Sequence, residues 1–126
     1  MKIFDCFIFF DEKDLAELRI NILKDYVDFF VICEAKQNHR GKPKKLNFPL
    51  EKFNYIKDKI IYITFDNFPD LNSTWKRQDY QRNYLINGLS DAKSNDLILF
   101  SDADEIPNPK TFKNLYKKCF DNVGIF

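Results

Sequence analysis

The amino-acid sequence predicts an α/β fold, with a mostly parallel β-sheet and helices flanking it. Short apolar runs alternate along the chain with segments of helical period, which is the pattern of β-α-β units. The apolar runs are nearly continuous, as in parallel strands that are covered on both faces. Because the chain has 126 residues, we expect one domain with a single core.

The beginning of the chain contains a complete β-α-β unit. Residues 3–10 are predicted to form a buried strand, residues 11–24 a helix and residues 29–33 a second strand. The helix carries four apolar residues that we expect to face the core, namely Leu15, Leu18, Ile22 and Leu23.

A polar loop, a strand and a long helix are predicted for the middle of the chain. Residues 35–50 are basic and lack a sustained period, whereas residues 59–65 form an apolar run. A helix is predicted over residues 75–93, with Ser73 or Thr74 as its cap. Its residues expected in the core are Trp75, Tyr80, Tyr84, Leu85, Leu89 and Ala92.

The last segment begins with a predicted strand over residues 96–101. Asn108 and Pro109 match an N-cap followed by proline at the first helical position. An apolar run at residues 123–126 resembles the start of another strand, so we expect the chain to be part of a longer domain. The core-facing residues of the last helix are predicted to be Phe112, Leu115 and Cys119.

The charge and the cysteine content exclude several classes of protein. Twenty Lys and Arg against nineteen Asp and Glu leave a net charge of +1, so no overall field favours nucleic acid or anionic lipid. No uncharged stretch approaches the roughly 20 apolar residues that cross a bilayer. Cys6, Cys33 and Cys119 are an odd number without zinc-site spacing, which predicts reduced thiols and a cytoplasmic protein.

An acidic motif follows the predicted strand at residues 97–100. Residues 101–107 read SDADEIP and lie where ligand sites form in open α/β sheets. In an extended backbone, Asp102 and Asp104 point to the same side and can hold one hard cation, Mn²⁺ or Mg²⁺. Such a cation also binds diphosphate oxygens and stabilises a departing nucleoside diphosphate.

The same acids could instead only stabilise a helix N-terminus, which is worth up to about 1 kcal/mol. Asn108 already fills the cap position, however, and repulsion among three neighbouring acids favours a bound cation. The motif therefore predicts a metal site at Asp102 and Asp104, with Glu105 as a candidate for orienting the ligand or for catalysis.

Several stretches of the sequence resemble glycosyltransferase family 17, which includes the bisecting N-acetylglucosaminyltransferase of animals. The similar stretches follow the family's order and span nearly the whole chain. They are residues 4–7 (FDCF), 9–12 (FFDE), 18–19 (LR) with Asn21, 27–32 (VDFFVI) with Glu34, 41–44 (GKPK), 81–83 (QRN) and 101–107 (SDADEIP).

The resemblance implies a GT-A fold, a metal-dependent transfer with inversion at the anomeric carbon, and a UDP-sugar donor, first of all UDP-N-acetylglucosamine. It also implies a glycan or other hydroxyl-bearing acceptor, and a divalent metal at Asp102 and Asp104. The general base of inverting GT-A enzymes usually lies in their later half, so the resemblance assigns none here.

Other polar residues are weaker candidates. Asp11, Glu12 and Glu34 follow the first two strands and are expected to border the donor pocket. Arg82 is expected to orient the diphosphate or to pair with Asp102. The only histidine, His39, has no orienting partner evident in the sequence, so we do not expect it to be catalytic. A basic cluster is expected to be solvated, namely Lys36, Arg40, Lys42, Lys44 and Lys45.

Two alternative functions remain open from the sequence. A donor-binding module without turnover would bind the nucleotide sugar only. An aspartate-nucleophile phosphatase also places two aspartates after an apolar strand. Ile106 argues against the phosphatase, because that family usually has a small Thr or Val at this place.

Overall fold

The computed structural model describes residues 1–112 and contains a four-stranded, wholly parallel sheet. The predicted α/β fold is confirmed, and each strand predicted within residues 1–112 is present. The order across the sheet is β3-β2-β1-β4, so β1 is central and has β2 and β4 as neighbours. The strands are β1 (Ile3–Phe9), β2 (Phe29–Ala35), β3 (Ile60–Phe65) and β4 (Leu97–Phe100).

Helices cover both faces of this sheet. Helix α1 (Lys13–Leu23) connects β1 to β2, and helix α2 (Thr74–Tyr84) lies between β3 and β4 in the chain. Side chains alternate along β1, so Phe7 belongs to the core on the α1 side and Cys6 to the core on the α2 side. The result is a three-layer arrangement with one apolar core on each face of the sheet.

The predicted core face of α1 is wrong except for Leu23. Leu15, Leu18 and Ile22 are exposed, with exposed fractions of 37%, 50% and 39%. The buried residues lie on the neighbouring stripe of the helix and are Ala16, Arg19, Ile20 and Leu23. The helix turns this way because Arg19 pairs with Asp5 inside the protein.

Helix α2 is shorter than predicted. It ends at Tyr84 and continues as a 3₁₀ turn over Leu85–Gly88, so the predicted helix over residues 75–93 is wrong at its carboxyl end. Gly88 lies at the end of this turn, and glycine is a poor helix former. Ser73 is confirmed as the cap, since its hydroxyl accepts a hydrogen bond from Lys76 N at 3.1 Å.

The aromatic residues of α2 differ in their surroundings. Tyr80 and Tyr84 pack against Phe65 with ring centroids 5.3 and 4.8 Å apart, which confirms their predicted place at the core. Trp75 is 71% exposed, so its predicted core position is wrong. Trp75 lies in the first turn of the helix, and the only buried residue of α2 is Gln81.

A larger side chain at Gly88 is expected to destabilise the fold. A Cβ atom built at Gly88 would lie 2.4 Å from Val31 Cγ1, which is in the buried strand β2. Gly88→Ala is therefore expected to lower the free energy of unfolding by about 1–3 kcal/mol, as overpacking does. Urea denaturation of the variant and the wild type measures this, and an unchanged midpoint would contradict the close packing.

Two further segments complete the described chain. Residues 35–50 form the predicted loop apart from the end of β2 and an isolated bridge between Gln37 and Pro43. A kinked 3₁₀ segment, Leu50–Lys59, follows and was not predicted.

Asn108 is confirmed as a cap, because its side chain accepts a hydrogen bond from Lys110 N. Phe112 is buried as predicted. The predictions for Leu115, Cys119 and residues 123–126 concern residues outside the described range.

Two of the three cysteines lie within the described residues. Cys6 and Cys33 are free thiols buried in the sheet, and burial raises the pKa of each to about 12. They are therefore small core residues with little thiolate at neutral pH. No helix within residues 1–112 is both long enough and apolar enough to cross a bilayer.

Candidate functional site

The acidic turn at residues 101–105 lies at the carboxyl edge of the sheet, directly after β4. The strand order reverses between β1 and β4, and the crevice at such a reversal is where open α/β sheets bind ligands. One carboxylate oxygen each from Asp102, Asp104 and Glu105 lie within 4.8 Å of one another. The structure thus brings together Asp102 and Asp104, the predicted metal ligands, and Glu105, the candidate for orienting the ligand or for catalysis.

Arg19 on α1 fixes the backbone of this turn from inside the protein. Its side chain is fully buried and forms a two-pronged ion pair with Asp5 of β1, with N···O distances of 2.8 and 2.6 Å. It also donates to Asp102 O at 2.8 Å, to Glu105 O at 3.0 Å and to Ser101 Oγ at 2.6 Å. All five N–H groups of the guanidinium therefore have an acceptor.

Hydrogen bonds within the turn complete its shape. Asp102 N donates to Glu105 Oε1 at 2.9 Å, and Glu105 N donates to Asp102 O at 2.9 Å. Ser101 Oγ donates to Glu105 O at 3.0 Å. The turn is therefore held before any ligand binds, which is the preorganisation that a binding site requires.

Arg82 on α2 pairs with Asp102, which is one of the two roles predicted for it. Its Nη2 lies 2.8 Å from Asp102 Oδ1, and its Nε lies 3.3 Å from the same oxygen. The side chains of Arg82 and Asp102 are 35% and 40% exposed, so this pair positions the carboxylate more than it stabilises the fold. Within residues 1–112, Asp102 Oδ2, Glu105 Oε2 and both carboxylate oxygens of Asp104 form no hydrogen bond.

The three carboxylates of this turn fit a hard divalent cation. Mg²⁺ and Mn²⁺ prefer carboxylate oxygens, and three carboxylates close together repel one another unless a cation is present. Arg82 supplies one positive charge against the three acids. The residues of the turn could therefore hold a divalent metal.

Asp102 lines two of the clefts that open beside the turn. The smaller has a volume of about 340 Å³ and lies over β1, with Glu12, His39, Asp102 and Asp104 among its lining residues. Its described lining contains three acids and neither Lys nor Arg. The larger has a volume of about 490 Å³ and is lined by Arg82, Ile86, Phe100 and Glu105, among others.

Glu34 lies at the end of β2, but its carboxylate is buried and bonded within the protein. One oxygen accepts from Lys44 Nζ and Asn47 N, and the other accepts from Phe48 N and from the Tyr62 hydroxyl. Burial, followed by the hydrogen bond from the hydroxyl to Glu34, raises the pKa of Tyr62. This arrangement attaches the polar loop to the sheet, while a donor-binding role for Glu34 stays a prediction.

The other predicted donor-binding acids lie near the smaller cleft. Glu12 lines that cleft, and its carboxylate lies 3.4 Å from the backbone nitrogens of both Phe10 and Asp11. Asp11 is exposed and is not among the residues that line either cleft. Their roles in donor binding stay predictions.

The basic residues of the polar loop are mostly solvated, as expected. Lys36, Arg40, Lys42 and Lys45 are exposed, and Lys36 pairs with Asp66 at the surface. Lys44 differs, because its ammonium group is largely buried against Glu34.

Sequence reasoning missed how much the site depends on buried polar residues. Asp5 carried a signal, since a charge inside an apolar strand requires a partner. Arg19 is the only arginine in the helix that follows. Gln81 gave no comparable signal, although it is 2% exposed and its amide donates to the backbone of both β1 and β2.

Comparison with known proteins gives the chain a family. A model of glycosyltransferase family 17 matches residues 1–125. Beta-1,4-mannosyl-glycoprotein 4-beta-N-acetylglucosaminyltransferase of Homo sapiens and that of Rattus norvegicus are each 35% identical over 106 residues, which cover 76% of this chain and 20% of the relative. The Mus musculus protein of the same name is 34% identical over the same coverage.

The chain thus spans about a fifth of the length of the curated relatives that it matches. No solved structure gives a significant match. The family model nevertheless covers nearly every residue, and the acidic turn, its buried arginine and the parallel sheet all lie within the matched range. The chain belongs to glycosyltransferase family 17.

Proposed function

We propose that this chain binds UDP-N-acetylglucosamine through a divalent metal and takes part in transfer of the sugar to a hydroxyl of a glycan or other acceptor. The observation that carries the proposal is the acidic turn at the strand-order reversal, fixed by the buried Arg19. The family and the printed names of the relatives support the reaction class and the sugar.

The charge of the smaller cleft supports the dependence on metal. Its described lining contains Glu12, Asp102 and Asp104 and no basic residue, so a diphosphate would meet only negative charge there. Bound between the acids and the diphosphate, Mn²⁺ or Mg²⁺ would supply the positive charge that stabilises the departing UDP. Asp102 and Asp104 would hold the metal, and Glu105 would help to orient it.

The overall transfer forms a bond between the acceptor oxygen and the anomeric carbon and breaks the bond from that carbon to the diphosphate. The hydroxyl proton of the acceptor passes to a general base. The proposal assigns no base within residues 1–112. Asp102 lies at the wall between the two clefts, and Arg82 holds its carboxylate through Oδ1. The other carboxylate oxygen of Asp102, Oδ2, stays available for the metal.

Calorimetric titration of UDP-N-acetylglucosamine into the protein tests this function. Heat of binding is expected with Mn²⁺ or Mg²⁺ present and is expected to vanish when a chelator is added. UDP alone should compete for the same site, because the metal binds the diphosphate. Equal binding with and without chelator, or no binding by the folded protein, would contradict the proposal.

Donor binding without turnover is the second candidate, favoured by the fact that the chain spans about a fifth of its relatives. It predicts the same calorimetry with no transfer of labelled sugar to any acceptor. The phosphatase alternative receives no support from the family. The cytoplasmic location stays a prediction.

A further inference from the structure

His39 lies in the smaller cleft, between two aromatic rings. Its ring is stacked on Phe10 with centroids 6.4 Å apart and meets Phe68 edge to face at 6.0 Å. Arg77 donates a hydrogen bond to the backbone oxygen of His39 at 2.9 Å, which fixes the loop locally. The imidazole is thus half-buried and placed in the same cleft as Asp102 and Asp104.

Gln81 determines which imidazole nitrogen carries the proton. Its Nε2 lies 2.9 Å from Cys33 O and 3.3 Å from Phe9 O, and these backbone oxygens can only accept. The amide orientation is therefore fixed, and Gln81 Oε1 must accept the hydrogen bond from His39 Nε2 at 2.6 Å. In the neutral ring, Nδ1 then has a free lone pair.

The Nδ1 atom forms no hydrogen bond with any residue in the range 1–112. Among buried side-chain nitrogen and oxygen atoms of this range, only Asn47 Oδ1 lacks a partner, so Nδ1 is accessible from outside the protein. With its ring neutral, His39 therefore presents an accessible hydrogen-bond acceptor, and the residue lines a cleft that also contains the acids.

We propose that His39 is a donor-binding residue whose Nδ1 accepts a hydrogen bond from a hydroxyl or N–H group of the nucleotide sugar. Gln81 acts as the positioning residue that sets the tautomer. The inference rests on the proposed function and deepens it. A diphosphate has only acceptor oxygens, so it cannot satisfy Nδ1 of the neutral ring. The diphosphate then belongs at Asp102 and Asp104, and a hydrogen-bond donor of the uridine or the sugar belongs at His39.

The variant His39→Gln removes the acceptor selectively. A glutamine amide can replace the Nε2 donor toward Gln81 but has no atom in the place of Nδ1. UDP-N-acetylglucosamine with Mn²⁺ is expected to bind about threefold to tenfold more weakly to this variant, the effect of one neutral hydrogen bond. The affinity for Mn²⁺ alone should not change. His39→Asn, which can offer an oxygen near the place of Nδ1, should bind the donor more tightly than His39→Gln.

Titration with UDP shows which part of the ligand contacts His39. If His39→Gln weakens UDP and UDP-N-acetylglucosamine equally, the partner is in the uridine. If only UDP-N-acetylglucosamine is weakened, the partner is in the sugar. Unchanged binding of both ligands by His39→Gln, with normal binding by the wild type, overturns the role of His39 and leaves the donor site standing. No binding by the wild type overturns both proposals.

¹⁵N NMR of the wild-type protein gives a second test of the proposal, which needs no variant. His39 is the only histidine, so the ¹⁵N signals of the imidazole belong to this residue, and their couplings to the ring protons distinguish Nδ1 from Nε2. We expect the proton on Nε2 in the free protein, and a shift of the Nδ1 signal when UDP-N-acetylglucosamine and Mg²⁺ are added. A proton on Nδ1 in the free protein, or an unmoved Nδ1 signal with ligand bound, overturns the proposal.

Discussion

Replacing Arg19 by methionine is expected to lower the free energy of unfolding by about 3–5 kcal/mol, because it leaves the Asp5 carboxylate buried without its partner. Domains are typically stable by only about 5–15 kcal/mol, so the loss would be a large part of the total. Urea denaturation followed by circular dichroism measures it.

A surface pair on the same helix gives the matched control. Glu17 of α1 pairs with Lys52 at 3.4 Å, and the two side chains are 40% and 57% exposed. Glu17→Gln is expected to change the free energy of unfolding by less than about 1 kcal/mol, as exposed ion pairs do. An equally small effect of Arg19→Met would mean that the buried pair does not stabilise the fold.

A double variant separates stability from the geometry of the site. Replacing a buried ion pair by apolar residues is often neutral or stabilising, so Asp5→Leu with Arg19→Met is expected to recover most of the lost stability. In the double variant, the acidic turn still lacks the hydrogen bonds that Arg19 donates to Asp102 O and Glu105 O in the wild type. Metal-dependent donor binding should therefore stay about tenfold to a hundredfold weaker, the usual effect of removing support behind a metal ligand. Wild-type affinity in the double variant would contradict a positioning role for Arg19.

The sheet could be predicted from the sequence because its signal is local. Each strand is a short apolar run, and near-continuous runs indicate strands covered on both faces. The position of the acidic turn follows for the same reason, since the sequence places it directly after such a run. Local patterns therefore sufficed for the layer architecture and for the acids of the site.

The orientation of α1 could not be predicted from periodicity. Leu15, Leu18 and Ile22 have helical spacing, and the buried stripe that contains Ala16 and Leu23 has it as well. The two stripes differ by about one residue, or 100° of rotation. The contact of Arg19 with Asp5 and with a turn more than 80 residues away decides between them. Contacts so distant in the chain leave no local pattern in a single sequence.

The orientation of His39 depends on distant contacts in the same way. Its partner Gln81 is 42 residues away and is itself fixed by backbone oxygens of two strands. The sequence showed an isolated histidine in a polar loop with no evident orienting partner, and the structure supplies one in Gln81. Buried amides that bridge strand ends have no distinctive sequence pattern.

Asp104→Asn is expected to weaken metal-dependent binding of UDP-N-acetylglucosamine by more than about a hundredfold, because a neutral amide replaces a charged oxygen ligand. Asp104 is exposed and its carboxylate forms no hydrogen bond within residues 1–112, so the turn should keep its shape. The free energy of unfolding of Asp104→Asn should stay within about 0.5 kcal/mol of the wild-type value. Asp102→Asn should weaken binding as much, but it also weakens the pair with Arg82.

Comparing the two variants with Asp58→Asn separates the effect of losing a metal ligand from the effect of changing the net charge. Asp58 is exposed and precedes β3, so it lies at the amino edge of the sheet, opposite the turn. All three changes remove one negative charge, yet only those at Asp102 and Asp104 should abolish the effect of Mn²⁺ in calorimetry. If Asp104→Asn binds like Asp58→Asn while Asp102→Asn does not, the binding depends on the pair of Asp102 with Arg82. The donor would then be held by the arginine rather than by a metal.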